Sequence, residues 1–254
     1  MKQIPNLFTL LNLFFGCMAI VFVLQNGIEI IPDANGQQLL VIPEKIWMAS
    51  LFIGLAALVD FLDGFVARLF KAVSPMGKQL DSLADVVSFG VAPAMIIYQF
   101  LRLSIAQEED GLETSILWMA PAFFIACAAA WRLAKFNIDT RQEEQFRGIP
   151  TPAAGLLVAC FPLIYWNVQQ QWVTEILLNK WFLYFFIAFI SLLMVSNIPI
   201  MSFKFRDFGI KNNLYRYLLI LLGIIAVLFI KWLAAPVIFI AYLLVSLLTK
   251  NRHT

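Results

Sequence analysis

Eight runs of apolar residues, each near the ~20 residues needed to cross the hydrocarbon of a bilayer, constrain this chain more than any other feature. They extend approximately from Pro5 to Leu24, Ile46 to Phe70, Gln79 to Leu103, Ser115 to Lys135, Thr151 to Val168, Trp181 to Phe203, Leu214 to Ile230 and Leu233 to Leu248. Only helices and closed barrels satisfy their backbone inside lipid, and runs of this length are helical. With 61% hydrophobic and 13% charged residues, a soluble surface could not be covered. The expectation is an all-α, polytopic transmembrane bundle of about eight helices. It forms a single domain over 1–254, with a six-helix core over about 5–205 and a C-terminal pair over about 214–248. Only Lys231-Trp232 separates the last two runs, which makes them a tight hairpin or one interrupted unit.

The loops orient the bundle. If both termini are cytoplasmic, only Lys45, Arg102, Lys180 and Lys231 of the 18 Lys and Arg residues fall on the outer side, as the positive-inside rule requires. An integral membrane protein with both ends on the cytoplasmic side follows. The run after Lys2 is long enough to span and lacks a small-x-small cleavage site, so it reads as a retained helix. Trp47, Trp118, Trp172 and Trp181 fall near outer helix ends, where an aromatic belt would place them. The outer stretches Gln25 to Lys45 and Gln107 to Thr114 read as solvated connectors. Cys17, Cys127 and Cys160 lie in apolar runs without metal-ligand spacing, so buried, unpaired thiols are expected. His253, the sole histidine, lies in the tail and receives no chemistry. The net charge of +2 gives no reason to expect a nucleic-acid partner.

Against this background the stretch from Asp60 to Asp85 stands out, because it holds Asp60, Asp63, Asp81 and Asp85 in otherwise apolar sequence. Carboxylates are costly there and mark a functional site. On one helix Asp60, Asp63, Gly64, Ala67 and Arg68 share a face, and on a second helix from about Met76 so do Gly77, Asp81 and Asp85. Ser74-Pro75 lies in a connection short enough to make the helices antiparallel neighbours. Four converging carboxylates either hold protons or collect cations. Two Mg²⁺ or Mn²⁺ ions would balance four negative charges and admit a pyrophosphate, which Arg68 could pair with. Gly64, Ala67 and Gly77 leave room for a bulky group against the backbone. The bland alternative, aspartates that cap helices or pair with nearby Arg and Lys, accounts for one or two of them but not the set.

The pattern Asp60-x2-Asp63-Gly64-x2-Ala67-Arg68-x8-Gly77-x3-Asp81-x3-Asp85 resembles the signature of the CDP-alcohol phosphatidyltransferases at every fixed position. The resemblance implies a di-metal site that takes a CDP-linked lipid, moves its phosphatidyl group to an alcohol and releases CMP. Asp60, Asp63 and Asp81 would be the main ligands; Asp85 would act as general base and also touch a metal. The CDP-lipid would lie against Asp60, Gly64, Ala67, Arg68 and Gly77. The flanking segments IPNLFTLLNLFFGC, SLADVVSFGVAPA, WRLAKFN, FRGIPTPAAG and SNIPIMSFKF are similar to those of the membrane-embedded phosphatidylserine synthases of bacteria and archaea. That likeness runs to about Phe205 and implies CDP-diacylglycerol and L-serine as substrates and a bacterial or archaeal-type cytoplasmic membrane as the location, with a homodimer as the expected assembly.

Arg132, Lys135, Asn137 and Arg147 flank the site on the cytoplasmic side. They read either as topology anchors or as partners of a phosphate or of the acceptor's carboxylate. Asn6, Thr9 and Asn12 share a face of the first helix, and Ser196-Asn197 with Pro199 interrupt the sixth; such residues join helices more often than they touch substrate. No Ser, Cys or His nucleophile stands beside a base, which favours direct displacement. Two other readings remain: the same family with glycerol 3-phosphate, inositol phosphate or choline as acceptor, and an ion or proton transporter. The transporter lacks support, because no repeat is visible and the carboxylates lie toward helix ends.

Overall fold

The computed structural model describes residues 4–32, 38–69, 74–108, 110–138, 148–198, 200 and 209–248. Helix α1 (Ile4–Gln25) is followed by a two-stranded antiparallel ribbon, β1 (Glu29–Pro32) and β2 (Gln38–Val41), with Ile30 opposite Leu40. The outer connector is therefore not simply a solvated loop. One 3₁₀ turn behind Pro43 leads into α2 (Trp47–Leu69). α1 and α2 pack along their length, with Phe22 stacked on Phe52 at a centroid separation of 5.3 Å.

After Ser74, which is extended as a residue before proline must be, α3 (Pro75–Asp85) starts with Pro75 in its first turn. The Ser74 hydroxyl caps it, accepting from the Gly77 N–H at 2.9 Å. α3 continues through a π-helical turn, Val86–Val91, into α4 (Ala92–Ala106). Pro93 cannot donate to the carbonyl four residues back and crowds it, and the wider turn lies immediately before it. Three neighbours close on this turn through small residues. A Cβ on Gly16 of α1 would lie 2.3 Å from the Ser88 Oγ, and one on Gly90 would lie 3.0 Å from the Ala129 Cβ. One on Gly155 would lie 3.0 Å from the Phe89 Cα. Such approaches are how helices associate where lipid offers no hydrophobic drive.

The fourth apolar run does not form one helix. Three short 3₁₀ turns precede α5 (Phe124–Ile138), and Pro121 sits in the first turn of the last of them. Then come α6 (Thr151–Asn167), α7 (Gln171–Leu177) and α8 (Lys180–Val195), the last capped by the Asn179 side chain. α9 (Ile210–Ile230) and α10 (Ala234–Leu248) fold against each other about Lys231, whose φ is 46°, with Gly223 facing Ile238. The last two runs thus form a hairpin.

By length and apolarity, Pro5–Gln25, Glu44–Val66, Pro75–Ala106 and Asn213–Leu248 are able to cross a membrane, and α7 with α8, bent by 63°, would make a fifth. The protein is an all-α polytopic membrane protein, but among the described residues this measure does not reach eight spans. At 15, 17 and 16 residues, α5, α6 and α8 reach only about 22–26 Å at 1.5 Å per residue. The thiols are also not buried as a group: Cys17 and Cys127 are exposed, Cys160 is half-buried, and all three are free.

Candidate active site

α2 brings Asp60 and Asp63, and α3 brings Asp81, to one place: a carboxylate oxygen of each lies within 4.8 Å of the others. Asp63 is buried, and the other two are half-buried. At that separation two like charges repel by roughly 3–4 kcal/mol at an effective dielectric of about 20. Three such pairs would approach the whole net stability of an ordinary domain, about 5–15 kcal/mol, so the charged cluster needs a cation. An all-oxygen carboxylate set drawn from two rigid helices fits a hard divalent ion.

Asp85, one turn beyond Asp81, lies outside that group of three and is 6% exposed. Its Oδ1 accepts from the Asn12 Nδ2 at 3.1 Å, and the Asn12 carbonyl accepts from the Ser88 Oγ at 3.0 Å. One turn earlier on α1 the Thr9 hydroxyl donates to the Asp63 Oδ2 at 2.9 Å. The Pro5 carbonyl is also in reach, at 3.2 Å, but the carboxylate is nearer and charged, so the single proton goes there. Helix α1 therefore joins its neighbours by holding two of the four carboxylates. The sequence signal for Thr9 and Asn12 was their spacing, which alone does not separate a helix contact from a site contact.

Among the described residues, no atom lies within 4 Å of a Cβ built on Gly64. A Cβ on Gly77 would lie 3.1 Å from both the Asn6 Oδ1 and the Ser74 Oγ, so that glycine serves a close approach within the protein. The side chains of Ala67 and Arg68 lie outside the described residues, as does Arg147.

On α5, Arg132 is 8% exposed; its Nη1 donates to the Thr151 Oγ1 at 3.0 Å, and its Nε has no hydrogen-bond partner among the described residues. Arg132 and Asp85 interact electrostatically. The Asn137 side chain donates to the Ser82 Oγ at 2.8 Å, and Lys78 donates to the Asn137 carbonyl at 3.2 Å, tying α5 to α3. Lys135 donates to the Asn197 Oδ1 at 2.8 Å, beyond the end of α8. That end also seats the corner before α6. Gly148, at φ 71°, donates to the Ile198 carbonyl at 2.9 Å, and a Cβ there would lie 2.6 Å from the Met194 carbonyl oxygen. Of the four flanking residues, Arg132 lies near Asp85 and Asn137 reaches α3 at Ser82, next to Asp81, whereas Lys135 binds beyond the end of α8. Ser82, Thr151 and Asn197 were not singled out by their sequence context as partners of these groups.

Comparison with known proteins bears on this arrangement. The family model described as CDP-alcohol phosphatidyltransferase matches residues 2–192. A Helicobacter pylori protein named CDP-diacylglycerol–serine O-phosphatidyltransferase is 33% identical over 243 residues, covering 95% of this chain and 87% of that one. Proteins with the same name from Mycobacterium bovis and Bacillus subtilis are similar too. The first is 31% identical over 96% of this chain and 76% of its own. The second is 34% identical over 65% and 78%.

Proposed function

The chain belongs to the CDP-alcohol phosphatidyltransferase family, and we propose that it transfers the phosphatidyl group of CDP-diacylglycerol to the hydroxyl of L-serine, giving phosphatidylserine and CMP. The convergence of Asp60, Asp63 and Asp81 from two helices carries the reading. Its direction toward serine draws support from the serine O-phosphatidyltransferases, similar to this chain over nearly all its length.

In this reading Asp60, Asp63 and Asp81, with Asp85 beside them, would hold two Mg²⁺ or Mn²⁺ ions. When bound, the ions neutralise charge on the pyrophosphate and on departing CMP. The open face at Gly64, together with Ala67 and Gly77, admits the nucleotide, and Arg68 pairs with its phosphates. Asp85 takes the proton of the serine hydroxyl as the serine oxygen bonds to the lipid-side phosphorus and the bond to CMP breaks. Asn12 aims Asp85, since its amide N–H fixes one carboxylate oxygen and so sets the orientation of the group. Arg132, with Lys135, Asn137 and Arg147, lies on the acceptor side, where a guanidinium suits a carboxylate.

The surrounding architecture belongs to the same proposal. One domain over 1–254 crosses the membrane eight times, and both termini and the aspartates face the cytoplasm. Two copies pair as a homodimer. The lipid enters from the bilayer and serine from the cytosol, consistent with the outer side holding only four basic residues.

An acceptor screen tests the function. Purified protein with CDP-diacylglycerol and Mg²⁺ or Mn²⁺ should release CMP with L-serine and not with glycerol 3-phosphate, inositol phosphate or choline. Turnover with one of those and none with serine would overturn the acceptor while leaving phosphatidyl transfer standing.

A further inference from the structure

Helix α3 supplies Asp81 and Asp85, yet only Ala84 and Asp85 of its 11 residues are buried. Its apolar residues Met76 and Leu83 are exposed, and Lys78, Gln79, Asp81, Ser82 and Asp85 make it a polar helix in an apolar bundle. Packing of an apolar face, which fixes most helices in proteins, therefore does little to fix this one, and its position depends on polar contacts. On one side stands α1, with Asn12 donating to Asp85 and the Asn6 Oδ1 against Gly77. On another side stands α5.

The contacts with α5 gather at one residue. Asn137, in the last turn of α5, meets α3 with both its side chain and its main chain. Its Nδ2 donates to the Ser82 Oγ at 2.8 Å, and its carbonyl accepts from the Lys78 Nζ at 3.2 Å. The Ser82 hydroxyl in turn donates to the Lys78 carbonyl at 3.2 Å, and Lys78 lies over the Phe136 ring, 5.7 Å from its centroid. The last carbonyls of a helix lack partners within it and carry its negative end, so Lys78 caps α5 from outside. Beyond α3 the chain meets α5 again, where a Cβ on Gly90 would lie 3.0 Å from the Ala129 Cβ. Asn137 follows Ala129 by eight residues and Gly90 follows Ser82 by eight, so the two segments run antiparallel in matched register, with Asp85 between the two points of contact. Lys78, Ser82 and Asp85 recur at i, i+4 and i+7, one stripe of α3.

We propose that Ser82 and Lys78 are positioning residues: held by Asn137, they set the height and rotation of α3 on α5 and so keep Asp81, the neighbour of Ser82, in reach of Asp60 and Asp63 on α2. Metal affinity then depends on groups that touch neither the metal nor a substrate, and α5 aligns one half of the carboxylate set with the other. The inference rests on the reading of the aspartates as a metal site.

The test measures Mn²⁺ binding to the purified protein directly, from the loss of the free-ion EPR signal, together with the KM for L-serine at saturating metal. Ser82→Ala should weaken Mn²⁺ binding about 3- to 10-fold, the range of one lost neutral hydrogen bond, and leave that KM as in the wild type. Alanine is the better helix former, so the loss would not come from a weaker α3. Lys78→Met, which keeps the stem and removes the charge, should weaken Mn²⁺ binding about 2- to 5-fold, the range of one cation at a helix end. In an Asn137→Leu background Ser82→Ala should add nothing, because the two remove the same hydrogen bond. Unchanged Mn²⁺ affinity in Ser82→Ala, full additivity with Asn137→Leu, or a raised serine KM with Mn²⁺ affinity intact would overturn the proposal. Absence of Mn²⁺ binding in the wild type would instead overturn the metal reading on which it rests.

Discussion

Thr9→Val is the most informative small change at the site, because valine keeps the shape of threonine and removes only the hydroxyl that donates to the Asp63 Oδ2 at 2.9 Å. Both groups are buried, so water does not replace the lost donor. A hydrogen bond to a charged group contributes about 1.5–3 kcal/mol, which is roughly 10- to 100-fold in an equilibrium constant, and groups that orient metal ligands show effects of that size. The Pro5 carbonyl loses only a weaker second contact and still accepts within the helix. Thr9→Val should therefore raise the Mg²⁺ or Mn²⁺ concentration for half-maximal CMP release about tenfold or more, with the rate at saturating metal close to that of the wild type. Thr9→Ser, which keeps the hydroxyl, should restore the metal dependence. An unchanged metal requirement in Thr9→Val would refute the claim that α1 orients a metal ligand.

Three further outcomes are expected. Asp85→Asn keeps the size of the side chain but cannot take a proton, so kcat should fall about 10²-fold or more, while binding of CDP-diacylglycerol suffers less than in Asp60→Asn, Asp63→Asn or Asp81→Asn; normal turnover at saturating metal would remove Asp85 as the base. Gly16→Ala would set a Cβ 2.8 Å from the Ser88 Cα, and overpacking of this kind costs about 1–3 kcal/mol, to be read as a lower midpoint of thermal unfolding; an unchanged midpoint would mean that α1 and the π turn are not held as described. In a chain whose native cysteines are replaced by alanine, Ala72→Cys and Lys250→Cys should resist an impermeant thiol reagent applied to intact cells, and labelling of either from outside would invert the topology.

Much of the site was legible because two helical periods carry it. Asp60 and Asp63 at i and i+3, and Asp81 and Asp85 at i and i+4, pointed to two facing helices, and Ser74-Pro75 marked the start of the second. Other features were harder for physical reasons. In lipid an apolar side chain is at home inside or outside the bundle, so apolar context gave no sign that Cys17 and Cys127 point outward. The π turn depends on Pro93 together with close approaches from Gly16 and Gly155, which lie far apart in sequence. The outer ribbon does carry a local signal. Asn35-Gly36 stands between Ile30-Ile31 and Leu39-Leu40-Val41, the arrangement that favours a hairpin.

The central claim, that the serine oxygen attacks the lipid-side phosphorus, is tested most directly by isotope transfer. With L-serine carrying ¹⁸O in its hydroxyl, CDP-diacylglycerol and Mg²⁺ or Mn²⁺, the account predicts phosphatidylserine that retains the label, CMP that carries none, and no turnover in excess EDTA. Label in CMP, unlabelled phosphatidylserine, or full turnover in the chelator would contradict it.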